Sequence, residues 1–429
     1  MKIFVNPERK QWKELCQRAR QSESKQVEET VQKILDRVAR DGDKALIELS
    51  REIDKREVDG GFEVIDQEFE DAGNRLSESL KRAIETAIDN ISAFHRAQLP
   101  KEITVETSKD VVCVQRPVAI QKIGIYIPGG TAPLFSTVLM LALPAKIAGC
   151  KEVIMCTPSD REGRVADAVL YAARRCGVDK VFKIGGAQAI GAMVFGTESV
   201  PQVNKIFGPG NRYVTMAKQL VGSTTVAIDM PAGPSEVMIV ADETSRPEFV
   251  AADLLSQCEH GADSQGIVVC ISEDLAGKIA EATALQASKL PRDEYVLKSL
   301  ENSRIIVLDT RESMIEFANC YGAEHLILSI ADGMKAVDDI TAAGSVFVGN
   351  YSPESAGDYA SGTNHTLPTS GWAHSYSGVN TDSFMRKMTI QSISPNGLKG
   401  LSETIISMAE AEGLAAHANA VIIRLENEK

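Results

Sequence analysis

Two kinds of pattern alternate along the chain. From about residue 110, short runs of Val, Ile, Phe and Met alternate with stretches whose apolar positions recur every three or four residues. Runs at 123–127, 151–156, 181–184, 205–207 and 224–228 predict strands, and 136–148 and 163–176 between them predict helices. Strands spaced by roughly 25–30 residues fit βαβ units, because parallel neighbours need a long crossover. A second set follows a break at Gly233-Pro234-Ser235-Glu236, with strands predicted at 237–241, 266–271, 304–308, 325–330 and 345–348. Helices are predicted between them at 248–258, 275–288, 311–320 and 333–342. Before residue 100, the stretches 28–53 and 67–97 carry apolar residues at helical spacing, and 381–429 reads as helical too. The expected fold is α/β: two Rossmann-like parallel-sheet domains with a helical N-terminal region and a helical C-terminal arm. The expected boundaries are 1–108, 109–232, 233–380 and 381–429.

Composition narrows the partners. The chain has 429 residues, 24% of them charged, with a net charge of −13. That is ordinary for a globular protein of two or three domains, and the acidic balance argues against nucleic acid or an anionic membrane. The longest apolar stretch, 138–147, is interrupted by Pro144 and Lys146 and is too short to span a bilayer. Residues 1–15 are polar and show no secretory core. Eight cysteines are scattered with no CxxC pair. That usage reads as reduced cytoplasmic thiols, not a disulfide frame or a thiolate zinc cluster.

Four polar clusters carry candidate chemistry. Gln257 and His260 are three apart at the end of an apolar helical stretch, a spacing that puts both on one face. Glu324 and His325 stand at the start of the strand predicted at 325–330. A polar, glycine-rich loop runs from Glu354 through Asp358 to His365, and Glu412 and His417 lie near the C-terminus. Singly, these read as a surface pair, a loop and a solvated helix. Jointly they hold four of the six histidines. Nitrogen and oxygen donors without thiolate suit zinc or another borderline divalent metal at an open catalytic site. Glycine-rich turns at 128–131, 185–188 and 208–211 each follow a predicted strand and open a helix. Each alone is an ordinary βα turn, and none is GxGxxG. Three on one rim suit a nucleotide crevice beyond the strands' carboxyl ends.

Long motifs in order carry a resemblance. They are Gly124-Ile-Tyr-Ile-Pro-Gly-Gly-Thr-Ala-Pro, Gly185-Gly-Ala-Gln-Ala, Phe207-Gly-Pro-Gly-Asn and Ile228-Asp-Met-Pro-Ala-Gly-Pro-Ser-Glu. Asp253-Leu-Leu-Ser-Gln-Cys-Glu-His-Gly, Tyr321-Gly-Ala-Glu-His-Leu, Ser352-Pro-Glu-Ser-Ala-Gly-Asp-Tyr-Ala-Ser-Gly-Thr-Asn-His and a C-terminal Ala-Glu-Gly-Leu-Ala-Ala-His follow. The chain resembles the bacterial-type histidinol dehydrogenase family along nearly its whole length.

The resemblance implies a zinc-dependent, NAD-linked, four-electron oxidation of L-histidinol to L-histidine through L-histidinal, the last step of histidine biosynthesis. It implies Gln257, His260, Asp358 and His417 as ligands of one zinc ion per subunit, positions that also meet the substrate. It makes His325 the acid–base residue, also in contact with substrate, and Glu324 the group that activates water. Ser235, Glu354, His365 and Glu412 become substrate contacts, and Tyr126, Gln188 and Asn211 NAD contacts. The family is an intertwined homodimer, so His417 is expected from the partner chain.

Elementary chemistry agrees with these roles. An alcohol must lose a proton as its hydride leaves, and an imidazole suits that transfer. An aldehyde yields a second hydride only after water adds, so a carboxylate beside the imidazole has its own task. Cys258 invites a reading as covalent nucleophile, but on a helix it points about 100° from Gln257. Competing readings are a paralogue that oxidises another polar alcohol, a zinc hydrolase with Glu324 as base, and a non-catalytic protein with a structural metal.

Overall fold

The structure, a computed structural model, describes residues 1–18, 24–58, 60–129, 133–231, 233–291 and 293–426. Of the motif residues above, Gly130, Thr131, Ala132 and Ala232 lie outside these.

The chain opens with β1 (Lys2–Val5) and α1 (Arg9–Leu15), then α2 (Ser24–Leu49), α3 (Asp66–Arg75) and α4 (Glu78–Ala97). A ribbon of β2 (Ile103–Ser108) and β3 (Val111–Ala119) leads into the first parallel set. This comprises β4 (Lys122–Tyr126), α5 (Phe135–Ala148), β5 (Glu152–Thr157), α6 (Asp167–Arg175), β6 (Lys180–Lys183), α7 (Gly186–Phe195), β7 (Lys205–Phe207), α8 (Arg212–Gly222) and β8 (Ala227–Ile228). The second set begins with β9 (Glu236–Ala241), α9 (Pro247–Cys258), β10 (Gln265–Cys270), α10 (Glu273–Ala287), α11 (Asp293–Asn302) and β11 (Arg304–Val307). It continues with α12 (Arg311–Tyr321), β12 (Ala323–Ser329), α13 (Gly333–Ala336), β13 (Ala343–Val348) and α14 (Glu354–Tyr359). The tail holds β14 (Met385–Ile393), α15 (Pro395–Ala411) and α16 (Ala415–Glu426).

Both large sheets are wholly parallel. The first runs β6-β5-β4-β7-β8 and the second β1-β11-β10-β9-β12-β13. Chain order reverses direction between β4 and β7 in one and between β9 and β12 in the other, the switch points of doubly wound sheets. Helices cover both faces, so the central strands are buried throughout, as every residue of β9, β10 and β12 is. Helix α5 is apolar nearly all round because it lies against the first sheet beneath α4 and α6. On the opposite face α7 and α8 lie beneath α2. The second sheet is covered by α1 and α12 on one side and by α9, α10 and α11 on the other.

The structure departs from the sequence expectation in its short and polar elements. The region 1–108, expected to be helical, opens with a strand that extends the second sheet, from Lys2 beside Arg304 to Val5 beside Val307. An edge strand of four residues needs no continuous apolar run, so nothing announced it. Residues 381–429 begin with a strand, β14, antiparallel to β3 from Met385↔Ala119 to Ile393↔Val111. In this chain β2 is exposed at every position and β14 at most of them, so these two strands carry little apolar signal. The expected helix at 333–342 is a short α13 followed by a single 3-10 turn, and 354–359 is helical where a loop was expected. Among the described residues no helix is long and apolar enough to cross a membrane, and all eight cysteines are free thiols.

Candidate active site

The site forms at the amino ends of β9 and β12. Parallel pairing sets His325 beside Val237, so Glu236 and Glu324 open neighbouring strands. The Glu236 backbone is the anchor. Its N–H donates to Glu324 Oε2 at 2.8 Å, and its carbonyl accepts from Gln257 Nε2 at 3.2 Å and lies 3.3 Å from His325 Nδ1. Gln257 Nε2 also lies 2.8 Å from His325 Nδ1. These bonds occupy the Gln257 amide nitrogen and leave its oxygen for another partner. With the Nδ1 proton directed at the Glu236 carbonyl, Nε2 is the nitrogen of His325 left for proton exchange. Helix α9 runs against the strands, so its carboxyl end delivers Gln257 here. The expectation that Gln257 and His260 share a helix face is corrected. The helix ends at Cys258, and His260 is exposed beyond the cap, with its N–H on the Gln257 carbonyl at 3.3 Å.

Helix α14 supplies the other side. Asp358 Oδ1 lies 3.6 Å from His325 Nε2. His365, just beyond, holds the Asp358 carbonyl through Nδ1 at 2.9 Å and meets Thr137 Oγ1 on α5 through Nε2 at 3.1 Å. One donor atom each of His260, Glu354 and Asp358 falls within 4.8 Å of the others. Both carboxylate oxygens of Glu354, and His325 Nε2, are buried without a hydrogen-bond partner. Three convergent donors, two orphaned oxygens and a helix carboxyl end, where the dipole favours cations, fit a divalent metal. Glu354, expected only as a substrate contact, stands among the donors.

Burial shapes the electrostatics. It pushes the Glu354 carboxyl up to about 8, with the Asp358 and Glu324 carboxylates adding to it and His325 opposing. Burial also raises the Glu324 carboxyl, against the pull of His325. For His325 burial opposes the charge, but Glu324, Glu354 and Asp358 outweigh it and raise the imidazole well above its ordinary value. Burial lowers His365, against the attraction of Asp358.

Two expected residues do not join this group within one chain. Glu412 caps the carboxyl end of α15 and His417 lies on α16, both exposed. These two helices pack chiefly on each other and on β14. Ser235 precedes the anchor, its carbonyl accepting from Gln265 N–H at 3.1 Å. It lines a cleft of about 160 Å³ with Glu236, Arg18 and Arg212.

The first sheet presents its carboxyl ends. The Tyr126 hydroxyl, at the end of β4, accepts from Gly186 N–H at 3.1 Å, and burial pushes the phenol up to about 12. Gln188 is buried on α7 and donates to Asp54 Oδ2 at 3.3 Å. Asn211 is exposed and caps α8 through Tyr213 and Val214 N–H. A buried ion pair, Lys218 with Asp229 at 2.5 Å, pins Gly208 from both sides: Lys218 donates to its carbonyl and Asp229 accepts its N–H, each at 2.8 Å. Gly208 has φ +122°, and a Cβ there would meet the Tyr126 carbonyl oxygen at 2.1 Å, so only glycine closes this turn. A cleft of about 590 Å³ opens beyond β4 and β5, lined by Pro128, Gly129, Thr157, Pro158 and Asp160. Tyr126 and Gln188 sit beneath these loops and not in the cleft wall.

Three residues that matter to this geometry escaped the sequence reading. Glu236 had a signal, a charged residue opening a wholly apolar strand. Thr137, inside an apolar helix, and Arg18 had none.

The comparisons with known proteins agree with one another. A family model for histidinol dehydrogenase matches residues 17–425. A protein of Bacteroides fragilis (strain YCH46) named histidinol dehydrogenase is 52% identical over 426 residues, 99% of each chain. One of Escherichia coli (strain K12) with the same name is 50% identical over 419 residues, 97% of this chain and 95% of the other. The crystal structure of histidinol dehydrogenase from Elizabethkingia anophelis superposes with a TM-score of 0.97 at 48% identity, covering 100% of this chain and 98% of that one. The chain belongs to the histidinol dehydrogenase family.

Proposed function

We propose that the protein oxidises L-histidinol to L-histidine through L-histidinal, the last step of histidine biosynthesis, using two NAD and one water. The observation that carries this reading is His325, with Nε2 unpartnered 3.6 Å from Asp358 and Nδ1 3.6 Å from the Glu324 carboxylate, beside the donor group of His260, Glu354 and Asp358.

Zinc would be held by Gln257 through its amide oxygen, His260 and Asp358, with His417 of a second copy. When bound it would grip the substrate's imidazole and amine and hold the aldehyde through both oxidations. NAD, which accepts the hydrides, is assigned to Tyr126, Gln188 and Asn211 at the carboxyl ends of the first sheet.

The chain's own groups handle the protons. His325 takes the alcohol proton through Nε2 as the hydride leaves. Its Nδ1–H donates to the Glu236 carbonyl, which fixes the ring and leaves the lone pair on Nε2. Glu324 has one oxygen fixed on Glu236 N–H, and burial raises its basicity toward that of a general base. It draws a proton from the water that hydrates L-histidinal. As the water adds, His325 returns its proton to the carbonyl oxygen, and it accepts one again as the hydrate gives its second hydride. Ser235, His365, Glu354 and, from the second copy, Glu412 are proposed to hold the substrate. The homodimer with shared sites and the cytoplasmic location belong to the same reading.

The test is NADH formed per L-histidinol consumed, before and after chelation. Two NADH, lost with chelator and restored by zinc, support the proposal. One NADH with L-histidinal released removes the role of Glu324. Turnover of another amino alcohol, and none of L-histidinol, removes the substrate assignment.

A further inference from the structure

Arg18 has no part in the roles above, yet it is tied to the site's anchor. Its guanidinium grips the Glu236 carboxylate with two bonds, Nε to Oε1 at 3.0 Å and Nη2 to Oε2 at 3.1 Å. Nη2 also donates to the Tyr321 carbonyl at 2.7 Å and lies 3.3 Å from the Gly322 carbonyl, the turn that feeds β12. The guanidinium stacks over the Tyr321 ring, 3.8 Å from its centroid. The Ser370 N–H completes the cluster, donating to Glu236 Oε1 at 2.8 Å. The Arg18–Glu236 pair thus holds together the start of β9, the entry to β12 and the segment after His365.

The charge balance shows how tight this is. The Glu236 side chain is 2% exposed and Arg18 21% exposed. A carboxylate so buried is costly unless paired, and a bidentate guanidinium is its best partner. The same residue's backbone N–H and carbonyl hold Glu324, Gln257 and His325. A shift of Glu236 therefore moves both proton-handling groups and a proposed metal donor together. Small misplacements of this kind cost rate far out of proportion to their size.

We propose that Arg18 is a positioning residue of the reaction: by clamping the Glu236 carboxylate and the Tyr321–Gly322 turn, it sets the register of Glu324 and His325. The proposal rests on the assignment of the chemistry to those two residues. An ion pair that served only the fold would change the melting temperature and leave the turnover of folded enzyme alone.

The zinc-loaded enzyme, assayed with L-histidinol and NAD, provides the test. Turnover by the wild type is the control for the proposed function, and its absence sinks that function separately. Arg18→Ala should lower kcat by about 10- to 100-fold, the usual loss when an outer partner of a site is removed, while KM for NAD stays within twofold. The cleft beside Ser235, Glu236, Gln265 and Ser370 is open to a small cation once the side chain is gone. Millimolar guanidinium should then restore part of kcat, and neutral urea at the same concentration should not. A kcat within twofold of wild type overturns the proposal, and so does a loss that guanidinium does not relieve. Should Arg18→Ala fail to fold, Arg18→Lys decides. Lysine keeps the charge but not the bidentate grip, so kcat should fall about tenfold with an unchanged melting temperature. Lysine at wild-type rate overturns the proposal.

Discussion

Thr137 and His365 meet at 3.1 Å across the seam between the two sheets, one on a helix of the first set and the other just past α14 of the second. His365 holds the Asp358 carbonyl with its other nitrogen, so a hydroxyl on α5 helps to orient a proposed substrate contact. Thr137→Val removes the hydroxyl from a buried position. It should lower kcat/KM for L-histidinol about two- to tenfold, the equivalent of roughly 0.5–1.5 kcal/mol for one hydrogen bond. KM for NAD should not move. Steady-state kinetics with each substrate varied decides it, and unchanged kcat/KM would make the contact incidental.

Glu354 makes the metal-free protein sensitive to pH. Burial pushes its carboxyl up to about 8 from an ordinary 4.5. The folded state therefore holds that proton more tightly than the unfolded chain. This contribution is full below about pH 4.5 and lost as pH rises through 8. Melting temperatures of chelated protein across that window should fall with pH more steeply in wild type than in Glu354→Gln. Parallel slopes would mean that the carboxyl is not isolated as described.

Cys258 is placed for packing. It is fully buried among the apolar residues of α9 and β10, and burial raises its thiol above the ordinary range, the opposite of an activated nucleophile. Cys258→Ala should keep most of kcat and cost about 1 kcal/mol in stability. Near-complete loss of turnover in a folded variant would restore the covalent reading.

Shared sites have a signature of their own. His417→Ala and His260→Ala subunits should each be inactive as homodimers. In a mixed dimer one site carries both changes and the other carries neither. Activity should return on mixing, once subunit exchange is verified by mass. Verified mixed dimers without activity would mean that each chain builds its own site.

The legible parts of this chain were those where burial forces a pattern. The apolar runs that became β4, β5, β9, β10 and β12 could be read because both faces of each strand are covered. β1, β2 and β14 could not, because edge and ribbon strands face solvent and need no period. The same rule governed the site. Histidines and carboxylates in motif positions stood out, whereas Thr137 looked like one more small residue in an apolar helix. Arg18 and Glu236 are 218 residues apart and share no motif, so only the folded chain pairs them.

The candidate chemistry of the second sheet sits at the amino ends of its strands, and this leaves the opposite rim unburdened. The turns there, around Glu243–Thr244 after β9, Asp309–Thr310 after β11 and Ala331–Asp332 after β12, are exposed and a full strand length from Glu324 and His325. In most doubly wound enzymes those turns carry the ligand and tolerate little. Here they are the places to graft an affinity handle, a fluorophore or a fused domain, giving a tethered enzyme whose reactive groups face away from the tether.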